Sequence, residues 1–350
     1  MIEFSTKIRL GYLTLSAPLF NQEVVARMHN SALQGLEKTI PNLELVCDDK
    51  PVLELSASRE AAKKLRREDV DAVLLNYAGW HCGDGTIAIA KELWDTPFML
   101  WAYGVSYGEW MITLTGLMEA TSGLEKIGKR FAVVLGEPEE KALKKVHSFL
   151  KAASAAKMIR NVNLGIVSYP CPGMLDTTPD PMALRRKLGT ALVNLDITEL
   201  LSLYEKIPEE EAKKLADDLL SGYGREVDQQ NIVKSVRMYL ALRMMVKKYD
   251  LRGFAVRCWP EMMVDHRVSP CLGISKLTSE GVMGVCEGDM HSTATMLILY
   301  ELAGSLPCCL DLNTMDEREN SITLWHCGAN AAELAEDPSR ITLRYPLLSE

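Results

Sequence analysis

Short apolar runs along the chain alternate with longer stretches whose apolar positions recur every three or four residues, which predicts β-strands alternating with amphipathic helices. In the first part the pattern predicts strands over 8–15, 43–46, 70–77 and 97–101, with helices over 22–37, 58–67 and 86–93 between them. A further strand at 131–135 precedes a Lys/Ala-rich helix over 137–158, whose charged face reads as solvated. Strands over 162–169, 191–196 and 251–258 then interleave with helices that begin at Pro181 and cover 198–206, 209–221 and 229–248. The last of these carries a Met- and Leu-rich stripe at helical spacing, the signature of core packing. Such alternation predicts an α/β protein with two successive doubly wound parallel-sheet domains.

The stretch 281–328 carries the most chemistry. Its pattern predicts a buried strand over 281–286, a mostly apolar helix over 291–302, a strand over 307–310, and a third run over 321–325 after a polar turn. Glu287, Asp311 and His326 each follow one of the apolar runs. If the strands are parallel neighbours, these residues lie along one sheet edge, where open α/β sheets place their ligands. Two carboxylates and an imidazole suit a hard to borderline cation such as Mn²⁺ or Mg²⁺. The alternative is that both acids are ordinary strand-end carboxylates capping a helix or a turn.

Other motifs are weaker. Trp80, His81, Cys82 and Asp84 share the loop after the 70–77 strand, but a Cys and a His adjacent in sequence rarely reach the geometry of a nucleophile and its base. Glu261, Asp265 and His266 form a rival cluster with no matching strand-end pattern. The run GLEKIGKR at 123–130 imitates a phosphate loop but lacks the Ser/Thr after Lys129, and a strand follows it where a helix is required. No GxGxxG follows a strand, so a nicotinamide cofactor has no support.

Composition narrows the class further. A net charge of -8 over 350 residues argues against a nucleic-acid surface. No apolar run approaches the ~20 residues of a membrane helix, and the first residues lack the apolar segment of an export signal, so a cytoplasmic protein is expected. Nine cysteines without CxxC spacing read as reduced thiols rather than a disulfide framework or a zinc ribbon.

The 281–328 stretch resembles the metal-binding region of the L-fucose isomerase and L-arabinose isomerase group. The shared features are an acid-Gly-Asp turn after a strand (Glu287, Gly288, Asp289), a helix ending in Leu302, Ala303 and Gly304, and an acid, Asp311, after the next apolar run. The resemblance is closest over 250–330 and looser, in architecture, elsewhere. It implies that Glu287 and Asp311 bind Mn²⁺ or another divalent cation and act as the catalytic acid/base pair, with His326 as a further ligand. Trp80 would contact a sugar bound in a neighbouring subunit, and Trp259 and Glu261 would line the pocket. The implied reaction is aldose–ketose interconversion through an enediol, in a homo-oligomer (trimer or hexamer). The implied domains are 1–158, 159–305 with Glu287, and 306–350 with Asp311 and His326. The family continues into a C-terminal β-rich domain that supplies another metal-ligating His, and 341–347 reads as that domain's first strand. This leads to the expectation of a truncated form, or one that completes its site with water or another subunit, or one that binds sugar without turnover. A metal-dependent aldolase or hydrolase using the same acids is a third reading.

Overall fold

A computed structural model describes residues 7–104 and 111–345. The chain divides into two compact units, Ser5–Lys157 and the remainder from Met158 onward. Among the described residues, no helix is long and apolar enough to cross a membrane.

The first unit alternates as its sequence pattern predicts: β1 (Ile8–Leu15), α1 (Gln22–Thr39), β2 (Leu43–Val46), α2 (Leu55–Arg67), β3 (Ala72–Tyr77), α3 (Gly83–Glu92), β4 (Phe98–Ala102), α4 (Thr113–Lys126), β5 (Ala132–Leu135) and α5 (Glu140–Arg160). All strand pairs are parallel, in the order β2-β1-β3-β4-β5, so the winding reverses between β1 and β3. Both faces of the sheet are buried. Leu10, Tyr12, Leu74 and Trp101 enter one apolar layer, and Leu13, Leu15, Leu75 and Leu100 enter the other. Continuous apolar strands of this kind belong to a sheet covered by helices on both sides.

The second unit contains β6 (Asn163–Val167), α6 (Pro181–Leu188), β7 (Ala191–Leu195), α7 (Ile197–Lys206), α8 (Glu209–Leu219), β8 (Gly224–Arg225), α9 (Gln229–Lys248), β9 (Leu251–Val256), α10 (Cys271–Ser279), β10 (Met283–Val285), α11 (Met290–Ala303), β11 (Asp311–Asp316), β12 (Ser321–Trp325) and β13 (Thr342–Leu343). Its main sheet is parallel, in the order β10-β9-β6-β7. The Met- and Leu-rich stripe of α9 is core, with Met238, Leu242 and Met245 buried against Phe254 and Ile274.

The expected parallel continuation after α11 does not form. Residues 307–310 are not a strand, and β11 and β12 pair antiparallel as a hairpin outside the main sheet. The linker explains this: residues 317–320 are far too short for a parallel crossover, which takes a dozen residues or more. They suit a hairpin turn, and Asp316 starts it by accepting from the backbone N–H groups of Arg318 and Glu319. The hairpin is irregular between Leu312 and Thr314, which puts Leu312 and Met315 opposite Leu324 and Ile322 on one face. That apolar face is exposed. In the stretch 341–347, only Thr342–Leu343 is a strand, paired with β8, and 346–347 lie outside the described residues.

Candidate functional site

Glu287 stands just past the carboxyl end of β10, in the turn that leads into α11. Its backbone is left-handed, φ 63°, and Gly288 continues in the same region at φ 74°. A non-glycine residue there costs roughly 1–2 kcal/mol, so it persists only where the surroundings enforce it. Three contacts enforce it. The Gly288 N–H donates to the Val256 carbonyl and the Cys171 N–H donates to the Glu287 carbonyl at 3.0 Å. Asp289 then caps α11 by accepting from the Ser292 N–H and hydroxyl. The turn is thus clamped to β9, to the 169–171 loop and to a helix start, and the Glu287 side chain is left half-buried with its direction fixed.

Asp311 and His326 arrive from the hairpin. Asp311 opens β11 opposite Trp325, the last residue of β12, so His326 emerges beside it. Asn330 anchors the hairpin's base by a reciprocal pair: its side-chain amide donates to the Cys309 carbonyl, and its amide oxygen accepts from the Cys309 N–H. Ligand atoms from Glu287, Asp311 and His326 all lie within 4.8 Å of one another. The three residues meet as the sequence predicts, but through a hairpin in place of parallel strand ends.

Electrostatics favour a cation there. Burial pushes the Glu287 carboxyl above its ordinary range, the nearby Asp311 charge adds to the shift, and His326 is the only group among its main influences that opposes it. The His326 ring is raised in turn, first by its contact with Cys327 and further by the charges of Asp311 and Glu287. Oxygen, oxygen and imidazole nitrogen is a donor set that fits Mn²⁺ or a similar divalent ion. Glu287, Asp311 and His326 are the residues that would hold it.

Elsewhere the predicted residues separate. Glu261 forms an ion pair with the buried Arg257 guanidinium, which also stacks at 4.3 Å over Tyr169. Asp265 and His266 do not join Glu261 in a metal-binding group among the described residues. Trp259 is exposed, and its carbonyl accepts from the Cys171 thiol, so it stands one residue from the clamp on Glu287. Trp80, in the first unit, donates its indole N–H to Glu119 and lines a cavity of about 370 Å³ with Cys82, Asp84 and Lys126. His81 is buried, with one ring nitrogen against the Ser16 carbonyl and the other against the Ser58 hydroxyl, so it has no nitrogen left to activate Cys82. Sequence reasoning missed Asn330 and the Tyr169–Cys171 backbone. Both act through partners remote in sequence, and the Pro/Gly-rich composition of 170–180 was the only local signal.

No family model matches the chain. Sulfoquinovose isomerase from Priestia aryabhattai is 25% identical over 339 residues, which is 95% of this chain and 75% of that protein. Sulfoquinovose isomerase from Clostridium sp. (strain MSTE9) is 25% identical over 347 residues, 94% of this chain and 74% of its own. L-arabinose isomerase from Shouchella clausii is 21% identical over 324 residues, covering 86% and 64%. A solute-binding protein from Agrobacterium vitis aligns over 86% of this chain and 91% of its own with a TM-score of 0.23 and 10% identity, which carries no argument about the site. Across nearly all of its length, the chain is similar to sugar isomerases, sulfoquinovose isomerase and L-arabinose isomerase among them.

Proposed function

We propose that the protein is an aldose–ketose isomerase whose proton-transfer site is Glu287, Asp311 and His326. The observation that carries this reading is the meeting of two carboxylates and an imidazole on clamped backbone, one of the carboxylates in a left-handed conformation. The reaction removes a proton from the carbon beside a carbonyl and returns one to the neighbouring carbon through an enediol. A shuttle of that kind works best with a group whose affinity for protons lies close to the working pH. Burial moves Glu287 in that direction, so Glu287 takes the proton and redelivers it. Asp311, more exposed at the mouth of the hairpin, exchanges protons with the sugar hydroxyls. His326 orients the pair through its own charge. Glu287, Asp311 and His326 would hold a divalent cation, with Mn²⁺ the first to test, and it would supply Lewis-acid stabilisation of the developing enediolate charge.

Trp259 offers a sugar an aromatic face near the Glu287 turn, and Glu261 sets the edge of that region through Arg257. Trp80 is assigned, as the resemblance implies, to the pocket of a neighbouring subunit in a cytoplasmic homo-oligomer. Sulfoquinovose belongs on the substrate panel because relatives bear that name, beside neutral aldoses. The test is conversion of these sugars with and without Mn²⁺, for the unaltered protein and for Glu287→Gln and Asp311→Asn, with calorimetry of Mn²⁺ binding in parallel and oligomeric state from light scattering. Turnover that requires Mn²⁺ and fails in both variants supports the proposal. Sugar binding that persists without Mn²⁺ and without ketose formation would establish a non-catalytic binder instead.

A further inference from the structure

The sheet of the second unit reverses its winding between β6 and β9: β7 lies on one side of β6, and β9 and then β10 on the other. Open α/β sheets bind ligands in the crevice outside the carboxyl ends of the strands at such a point. Two side chains meet there. Tyr169, two residues past β6, lies at 4.3 Å over the guanidinium of Arg257, the first residue past β9. Arg257 is 5% exposed and Tyr169 63%. Glu261 opens a π-helical turn in which its carbonyl accepts from the His266 N–H at 3.1 Å, and its carboxylate Oε1 accepts from the Arg257 Nη2. The ion pair is incomplete: the Arg257 Nε–H and the Glu261 Oε2 are both buried and have no hydrogen-bond partner among the described residues. Buried polar groups are nearly always hydrogen-bonded, so an unfilled donor and an unfilled acceptor in one pair mark the place of a missing partner. A partner that fills both must donate and accept at once. A hydroxyl does; a sulfonate, phosphate or carboxylate only accepts, and Glu261 already balances the charge that would attract it.

We propose that Arg257 and Glu261, beneath Tyr169, bind a neutral hydroxyl at the end of the sugar away from its carbonyl, and so select a sugar that carries one over a sugar that lacks it or bears an anion there. The proposal rests on the isomerase reading of Glu287, Asp311 and His326 and adds what the far end of the substrate carries. The placement suits it. The Val256 carbonyl, one residue before Arg257, accepts from the Gly288 N–H, one residue after Glu287. The subsite and the Glu287 turn therefore occupy neighbouring strand ends, about 4.8 Å apart, a step that one sugar chain bridges. The exposed Tyr169 ring swings off the guanidinium to admit the hydroxyl and then packs on the C–H face of the sugar.

The test uses the full chain with Mn²⁺ and sugars that differ only at C6: the 6-hydroxy and 6-deoxy members of the gluco, galacto and manno series, with sulfoquinovose as the 6-sulfonate of the gluco series. Conversion is measured, with binding by calorimetry in parallel. The unaltered protein should favour 6-hydroxy over 6-deoxy sugars by about 10- to 100-fold in kcat/KM, with sulfoquinovose below D-glucose. Arg257→Leu combined with Glu261→Leu should bring the hydroxyl-to-deoxy ratio close to one, while retained Mn²⁺ affinity reports a folded unit. Glu261→Gln keeps an acceptor but leaves the guanidinium charge unbalanced, and it should improve sulfoquinovose by about tenfold without any repacking. Equal handling of 6-hydroxy and 6-deoxy sugars, a preference of the unaltered protein for sulfoquinovose, an unchanged ratio in the double variant, or no gain for sulfoquinovose in Glu261→Gln overturns the subsite. Failure of the isomerase reading looks different: binding that favours the 6-hydroxy sugars with no ketose formed sinks that reading and keeps the subsite, and no binding of any sugar sinks both.

Discussion

Gly288 offers a quantitative test of how the candidate site is held. At φ 74° any side chain is strained, and a Cβ built there would lie 2.8 Å from the Pro170 Cα, 2.9 Å from the Tyr169 carbonyl oxygen and 3.0 Å from the Pro170 nitrogen. All three are backbone atoms, so no rotamer change relieves the overlap. Gly304 is the natural control: it has φ 68°, and a Cβ there would meet nothing within 4 Å. Ala at Gly304 therefore loses only the conformational cost, roughly 1 kcal/mol. Ala at Gly288 adds an overpacking cost of about 1–3 kcal/mol, for a total near 3 kcal/mol. In a domain of this size each kcal/mol moves Tm by roughly 2–4 °C. Gly288→Ala should thus lower the Tm of this unit by about 6–12 °C, against about 2–4 °C for Gly304→Ala. Gly288→Ala should also weaken Mn²⁺ binding, because the turn that aims Glu287 must move off the 169–171 loop. Equal Tm values for the two variants, with unchanged Mn²⁺ affinity, would refute the clamp.

The raised Glu287 carboxyl makes a pH prediction. With its folded-state proton affinity above the ordinary value of 4.5, the folded protein holds the proton longer than the unfolded chain, so this group's contribution to stability is present at low pH and is lost as pH rises above that value. Without metal, Glu287→Gln should therefore be more stable than the unaltered protein at neutral pH, the gap closing toward pH 4 in chemical denaturation, and Mn²⁺ should stabilise only the unaltered protein. Asn330→Ala loses both bonds to the Cys309 backbone, at a cost of about 1–2 kcal/mol. It should weaken Mn²⁺ binding through Asp311, with Asn330→Asp recovering part of it because one acceptor remains. Glu261→Gln leaves the buried Arg257 with a neutral partner and should cost about 1–2 kcal/mol in denaturant unfolding. It should leave Mn²⁺ affinity unchanged, since Glu261 is not among the three convergent ligands.

Period and polarity reveal the two parallel sheets because each strand buried on both faces is a nearly continuous apolar run, as Ala72–Tyr77 and Phe98–Ala102 are. The same rule misreads the chain after α11. There the runs at 307–310 and 321–325 look like strand signals, but the deciding information is the length of the polar linker between them, which only an antiparallel pair can bridge. Asp311 and His326 still converge with Glu287, since hairpin pairing and parallel pairing both bring strand ends together. The Glu261 cluster fails for the opposite reason: its acid is consumed by Arg257, a partner four residues back that no spacing rule singled out. Neither the Asn330 anchor nor the 169–171 clamp was legible, because each ties a backbone segment to a partner remote in sequence, the first through the Asn330 side-chain amide and the second through backbone alone.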